Sequence, residues 1–295
     1  MRILITGASG QLGNELQKVI KNKTSEIGTI SNIYDNAEVI AVDVDKLDIT
    51  DKGAVLSFVH SQEPDIIINC AAYTNVDACE QNVDIAYKIN AGGSLNLAQA
   101  ASEVHAEFIH VSTDYVFNGF KTDGISYREW DKTDPQSIYG KSKLMSEDLV
   151  LQNCNSSYVV RTSWLYGYEG NNFVKTILNL AKNNEQIKVV NDQMGNPTSA
   201  SDVAHHLLKL PFSKNYGIYH CTNQEICSWF DFAKLFVELS GIKCQVIPCT
   251  TEEFPRPAKR PAFSALDNMG LRNTVGDEMR TWQEAIKSYM GNTKR

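Results

Sequence analysis

Ile3-Leu4-Ile5-Thr6-Gly7-Ala8-Ser9-Gly10-Gln11-Leu12-Gly13 opens the chain, and its reading decides the fold. Three apolar residues in a row suit a strand buried on both faces. Gly7, Gly10 and Gly13, spaced by three, suit the turn that leads from such a strand into a helix. A turn of this kind cradles a pyrophosphate: glycines let the backbone approach the phosphates, and the first helical turn offers N–H groups with no intrahelical partner. Downstream stands Tyr139-Gly140-Lys141-Ser142-Lys143. Tyrosine and lysine four apart share one helical face, where a cation lowers the pKa of the phenol and makes it a proton donor. Each motif alone has an ordinary reading, a glycine-rich loop or a solvated helix face. Together, in this order, they point to a nicotinamide enzyme acting on a carbonyl or an alcohol.

The 295 residues, 42% hydrophobic and 21% charged, describe an ordinary globular chain long enough for a substantial core. A net charge of −7 argues against a nucleic-acid binder, which needs a basic surface. No apolar run reaches the ~18 residues of a membrane span, and the first strand starts too near Met1 to leave room for a signal peptide. Seven cysteines, an odd number without CxxC spacing, fit reduced thiols in a cytoplasm better than a disulfide framework. His220, Cys221 and Cys227 lack the tight paired spacing of a zinc site.

Strand patterns at 2–6, 39–42, 66–71 and 108–112 alternate with helix patterns at 13–20, 52–61, 84–104 and 141–152. This alternation predicts an α/β fold, a Rossmann-type doubly wound parallel sheet with helices on both faces. Ligands then sit beyond the carboxyl ends of the strands, where the glycine turn, Asp43, Ala71-Ala72-Tyr73 and Ser112-Thr113-Asp114 fall. Later come strands at 158–161, 187–190 and 217–220, and helices at 172–183, 201–210 and 229–239. The last is capped by Ser228 and stopped at Gly241. Residues 248–261 carry four prolines, which forbid a helix and give a stiff extended segment. We expect a dinucleotide-binding domain over 1–160, with 199–220 packing back on it, and a smaller α/β substrate-binding lobe over 161–295.

Four constellations carry alternatives. Asp43, at the end of the second strand, suits the hydroxyls of an adenosine ribose or merely caps a turn, and Asp45 and Asp48 compete for either role. Ser112-Thr113-Asp114 either presents a hydroxyl to a substrate carbonyl or forms a capping turn. Arg256, Lys259 and Arg260 among prolines clamp an anionic substrate or decorate a surface loop. Trp164 belongs to a core or to a ligand platform.

The Thr-Gly-x-x-Gly-x-x-Gly turn with the Tyr139/Lys143 pair resembles the extended short-chain dehydrogenase/reductase superfamily. Within it, further stretches look like the dTDP-4-dehydrorhamnose reductase family. They are Ala71-Ala72-Tyr73-Thr74-Asn75-Val76-Asp77, Ser112-Thr113-Asp114-Tyr115-Val116-Phe117, Arg161-Thr162-Ser163-Trp164, Gly170-Asn171-Asn172-Phe173, Asp192-Gln193-Met194-Gly195-Asn196-Pro197-Thr198 and Pro257-Ala258-Lys259-Arg260-Pro261. The resemblance implies reduction of the C4 ketone of dTDP-4-dehydro-L-rhamnose to dTDP-L-rhamnose with NADPH or NADH. It makes Tyr139 the proton donor, Lys143 its cationic partner and the holder of the nicotinamide ribose, and Thr113 the hydroxyl that steadies the carbonyl. It lays Gly7, Gly10, Gln11, Leu12 and Gly13 along the pyrophosphate, Asp43 at the adenosine ribose, Asp48 and Ile49 beside the adenine, and Ala71, Ala72 and Tyr73 along the cofactor groove. Thr113, Asp114, Trp164, Arg256 and Arg260 are assigned to the sugar nucleotide. Some family members bind magnesium at a dimer contact through a glutamate matching Glu15; no further ligand is identifiable here, so no metal is expected, and a homodimer is. Two other readings share the motifs: a regulatory subunit of the methionine adenosyltransferase type, which binds a partner, and a sugar-nucleotide epimerase or dehydratase.

Overall fold

The computed structural model describes residues 1–293. Its first half runs β1 (Arg2–Thr6), α1 (Gln11–Asn22), β2 (Glu38–Val42), α2 (Lys52–Gln62), β3 (Ile66–Asn69), α3 (Val76–Gln81), α4 (Val83–Tyr87), α5 (Ser94–Glu103), β4 (Glu107–Thr113), α6 (Ile138–Asn153) and β5 (Ser157–Thr162). Strand Gly217–His220 joins them in one sheet of six parallel strands, ordered from β2 through β1, β3, β4 and β5 to Gly217–His220. The apolar runs are continuous because each strand is covered twice. Ile3 and Ile5 face a core with Leu12, Leu16 and Val19 of α1 and Val203 and Leu207 of helix Ala200–Leu207. Leu4, Ile67 and Phe108 face the opposite core, with Val55 and Val59 of α2 and Leu97 and Ala101 of α5.

From β1 the chain crosses to β2 on one side and then returns to β3 on the other. The switch point, where a crevice opens, thus lies between the carboxyl ends of β1 and β3.

The single helix expected over 84–104 is instead α4, a π-helical turn over Lys88–Gly93, and α5. Its extra residue per turn seats Gly93 so close to Ile49 that a Cβ there would meet the Ile49 side chain at 2.6 Å. Helix α3, capped by the Asn75 side chain, had no periodicity long enough to announce it. Helix α6 starts at Ile138, three residues before its expected start, because the Ser137 hydroxyl accepts from Gly140 N and caps it.

In the second half, strands Gln186–Val190 and Gln245–Cys249 pair in parallel. Helices Phe173–Asn183, Trp229–Ser240 and Trp282–Asn292 close over them around Val174, Phe232, Phe236 and Ile286. Ser228 and Asp231 form a capping box for Trp229–Ser240, which ends at Gly241 in the left-handed conformation. Pro248 completes a strand, and the rest of the proline segment bends at 251–254 before running without helix or strand. Arg280 links the halves: its guanidinium donates to Asp202 at 2.5 Å and to Glu26 at 3.0 Å.

Candidate active site

A cleft of about 810 Å³ opens at the switch point, within the ~300–1,000 Å³ usual for cofactor and ligand sites. Residues of both halves line it, from Gly7 and Asp43 through Ala71, Thr113, Tyr139 and Lys143 to Trp164, Asn171 and Trp229.

The glycine turn forms a cradle that side chains would fill. Gly7 has φ +65°, and a Cβ on it would lie 2.6 Å from Ala71 N. A Cβ on Gly13 would lie 2.3 Å from the Gly7 oxygen. Gly10 caps α1 without a side-chain hydrogen bond, so the first N–H groups of the helix stay open to an anion. The Gln11 side chain turns to the second half, where Asn172 Nδ2 donates to its Oε1 at 3.0 Å.

Asp43 closes the turn. Its Oδ2 accepts from Ser9 N at 2.8 Å and Ser9 Oγ at 2.5 Å. The expected ribose ligand is therefore already a turn anchor through Oδ2. Asp48 is exposed, and its carboxyl is held below the usual range by hydrogen bonds from Thr50. Ile49 is buried beside it. Among the described residues lining the cleft, Lys143 is the one lysine or arginine.

Ala71 and Ala72 line the groove, but Tyr73 does not; Thr74 and Val76 take its place. Tyr73 is tied back by Asn90, whose Oδ1 accepts from Tyr73 N at 2.7 Å and whose Nδ2 donates to Ser142 Oγ at 2.9 Å. Asn90 lies in the π-helical turn, and nothing in its sequence context distinguishes it from an exposed helical asparagine.

Tyr139 stands in the first turn of α6. That helix lies against the turn at 114–116 so tightly that a Cβ on Gly140 would meet the Tyr115 oxygen at 2.2 Å. This approach sets Tyr139 beside Thr113 and edge-on to the Tyr115 ring, with centroids 5.6 Å apart. Burial pushes the Tyr139 phenol well above its ordinary range, opposed by the Thr113 hydroxyl and assisted by Asp114.

Lys143 departs from expectation. Its Nζ donates to the Val111 carbonyl at 2.7 Å, and burial rather than this ammonium dominates the shift of the Tyr139 phenol. The reason is burial: at 2% exposure the ammonium needs an acceptor, and β4 offers one. Burial also lowers the Lys143 pKa to about 8, against Glu147 and Cys70, which raise it. Asp114 is 2% exposed, and burial lifts its carboxyl to about 6. Its Oδ1 accepts from Thr113 Oγ1 at 3.0 Å, while Oδ2 has no hydrogen-bond partner. Beneath them a buried ion pair joins Arg161 to Glu147 at 2.6 Å, and Ser112 Oγ donates to the same carboxylate at 2.5 Å.

Trp164, at φ +46°, both packs and lines the cleft. Trp229 covers its ring, centroids 3.6 Å apart and nearly parallel, and Gly195 backs it where any Cβ would come within 2.7 Å. The three cations of the proline segment do not converge. Arg256 is exposed over Phe254, and Lys259 lies over Phe120. Arg260 does not line the cleft either, but it pairs with Asp77 at 3.0 Å and lies over the ring of Tyr115, which does; its buried Nη1 has no hydrogen-bond partner. Glu15 is buried, raised in pKa by desolvation, against the Ser201 hydroxyl.

The profile of the RmlD substrate binding domain family matches residues 1–295. The chain belongs to this family. A dTDP-4-dehydrorhamnose reductase of Aggregatibacter actinomycetemcomitans is 42% identical over 97% of both chains, and the spore coat polysaccharide biosynthesis protein SpsK of Bacillus subtilis is 42% identical over 98% of this chain and 96% of its own. Among solved structures, a dTDP-4-dehydrorhamnose reductase of Clostridium acetobutylicum superposes over the whole of both chains, with TM-score 0.94 and 51% identity. That of Bacillus anthracis, in complex with NADP, covers 99% of both at TM-score 0.91 and 40% identity. A Thermus thermophilus UDP-glucose 4-epimerase with NAD shares the fold, with TM-score 0.82 at 19% identity. The RmlD family relationship thus runs through both halves of the molecule.

Proposed function

We propose that this cleft reduces the C4 ketone of dTDP-4-dehydro-L-rhamnose to the alcohol of dTDP-L-rhamnose, as an NAD(P)H-dependent oxidoreductase of nucleotide-sugar biosynthesis. The observation that carries the reading is the meeting, in one cleft, of a phosphate cradle emptied of side chains with Thr113, Tyr139 and Lys143. When bound along Gly7–Gly13 side of the cleft, NADH or NADPH supplies the hydride. The Tyr139 phenol, and Thr113 Oγ1 once its single hydrogen turns from Asp114 Oδ1, donate hydrogen bonds to the ketone oxygen as negative charge gathers there, and Tyr139 passes its proton to that oxygen. Lys143, with N–H groups beyond the one it gives Val111, would hold the nicotinamide ribose and supply the positive charge that a buried phenol needs to exchange its proton. Asp114 Oδ2 accepts from a sugar hydroxyl, and Arg260 Nη1 donates to the diphosphate.

The chemistry requires no metal. Seven free thiols fit a cytoplasmic location, and among the described residues no helix is long and apolar enough to cross a membrane. A homodimer remains part of this reading through the family.

The test is loss of NAD(P)H absorbance with the 4-keto sugar nucleotide, against the same sugar lacking the nucleotide. Turnover with the first alone supports the reading. No turnover, with a bound partner protein, returns the regulatory-subunit reading, and turnover without net cofactor oxidation returns the epimerase.

A further inference from the structure

On the side of Lys143 away from the cleft lies a cluster of polar side chains that the reaction leaves unused: Asn69, Ser94, His110 and Ser146, all buried. An unmatched buried donor costs on the order of 1–3 kcal/mol, so the hydrogens here must be matched. Asn69 Oδ1 accepts from Thr6 Oγ1 at 2.8 Å and from Ala71 N at 3.1 Å, which fixes the orientation of its amide. Its Nδ2 therefore aims its hydrogens at Ser94 Oγ and at His110 Nδ1, each 3.2 Å away. Nδ1 must accept, and in a neutral imidazole the proton then sits on Nε2. Nε2–H donates to Ser146 Oγ at 2.8 Å, and Ser146 donates in turn to the Lys143 carbonyl at 2.6 Å. Every donor of Asn69, Ser94, His110 and Ser146 finds an acceptor. The opposite tautomer sets two N–H groups face to face.

One consequence falls on Lys143. Its Nζ lies 3.3 Å from His110 Nε2, yet that nitrogen carries a hydrogen and offers no lone pair. Among the described residues the ammonium then has a single buried acceptor, the Val111 carbonyl. We propose that His110 is a positioning residue for Lys143: with its proton on Nε2 it denies the ammonium a second buried acceptor, leaving its other N–H groups for the cleft, and through Asn69 it ties this arrangement to the cofactor cradle. The inference rests on the reading of Lys143 given above.

The link to the cradle is short. Thr6 precedes Gly7, and Ala71, the other donor to Asn69, is the residue against which Gly7 is packed. Burial and the charge of Lys143 both hold His110 well below its ordinary pKa, which keeps it neutral. The other titratable groups acting on Lys143 are Cys70, just beyond β3, and Glu147 of α6, the latter paired with Arg161 of β5.

Nitrogen NMR of the full chain labelled at histidine reads the tautomer directly. We expect an unprotonated Nδ1 and a protonated Nε2 for His110, unchanged from about pH 6 to about pH 9; the reverse tautomer, or titration in that range, overturns the proposal. In kinetics, His110→Phe removes both nitrogens at similar volume and should lower kcat by roughly tenfold or more with KM for the sugar nucleotide nearly unchanged. His110→Gln, which retains an N–H near the Nε2 position, should recover most of that loss. Should the Phe variant not accumulate as folded protein, His110→Asn, too short to reach Ser146, takes its place against Gln. Equal kcat in all variants overturns the proposal. Lys143→Met, run alongside, separates the two readings: if it turns over normally the role of Lys143 falls, and if it is inactive while His110→Phe is normal only the role of His110 falls.

Discussion

Lys143 gives its ammonium to the Val111 carbonyl at 2.7 Å rather than to Tyr139, one helical turn away. Spacing alone places the two side chains on one face of α6, but it does not say which acceptor a buried ammonium will choose. In this structure the strand wins, and the tyrosine keeps a phenol that burial makes hard to ionise. A protonated Tyr139 is the form that donates, so the arrangement suits a reductase at rest.

Replacing Tyr139 with Phe removes the proton donor while keeping the ring that packs on Tyr115. Turnover should fall by roughly 10²-fold or more, the range for a lost general acid. Cofactor affinity, measured by fluorescence titration, should stay within about twofold, since the lost group carries a proton and contributes little to ground-state binding. Retention of most activity would falsify the assignment.

Lys143 makes a pH prediction. Its folded pKa of about 8 lies below the unfolded value of about 10.4. The cost of charging it in the fold is therefore fully present below pH 8 and is relieved between about pH 8 and pH 10.4. Lys143→Met should stabilise the free protein at pH 7 by on the order of 1–3 kcal/mol, seen as a raised Tm, while abolishing most turnover. In the native enzyme kcat should decline as pH rises through about 8. A Tm that drops in the Met variant at pH 7 would show that the Val111 bond outweighs desolvation.

Asp114 has the opposite sign. An acid whose folded pKa is raised to about 6 from an unfolded value of about 3.9 costs stability that is absent below pH 4 and complete above pH 6. Asp114→Asn should raise Tm at pH 7, by on the order of 2–3 kcal/mol of stability, and the gap from the native protein should close near pH 4. KM for the sugar nucleotide should rise, because Oδ2 is the acceptor left without a partner. Unaltered KM would make Asp114 a purely structural carboxyl.

Asp43 does two things, and its removal should show both. Without the carboxylate Ser9 loses its anchor, so Asp43→Ala should weaken NADH and NADPH alike. The loss should be larger for NADH, because the alanine also removes repulsion of a 2′-phosphate in a cleft where, among the described residues, the lining offers Lys143 as its one lysine or arginine. The native protein should use both cofactors within about a hundredfold, roughly 2.7 kcal/mol. Values of kcat/KM for both cofactors in both proteins decide it: an unchanged ratio leaves Asp43 as a turn anchor only.

Arg260→Ala should raise KM for the sugar nucleotide far more than it lowers kcat, as befits uniform binding of a phosphate. Arg256→Ala, at an exposed site over Phe254, should change neither. Equal effects of the two substitutions would return the whole segment to a role in packing.

The dinucleotide fold was legible from Ile3 to Gly13 because its determinants are local. A strand covered on both faces must be apolar throughout, and a turn pressed against a phosphate must lack side chains at fixed positions. Tyr139 and Lys143 were legible for the same reason, since helical spacing fixes their common face. The π-helical turn was not, because its extra residue is stabilised by contacts such as Asn90 to Tyr73 and Ser142, which join segments far apart in the chain.

The sequence by itself thus determined the strand order's building blocks, the glycine turn and the candidate proton donor, each carried by neighbours within a few residues. Tertiary structure alone decided which acceptor Lys143 takes, that Asp43 closes the turn through Ser9, and that Arg260 and not Arg256 pairs with Asp77. Those choices depend on burial and on the matching of donors to acceptors across β1, β3, β4 and α6. A one-dimensional pattern records which groups a chain owns; only the packed molecule determines which of them must share their hydrogens.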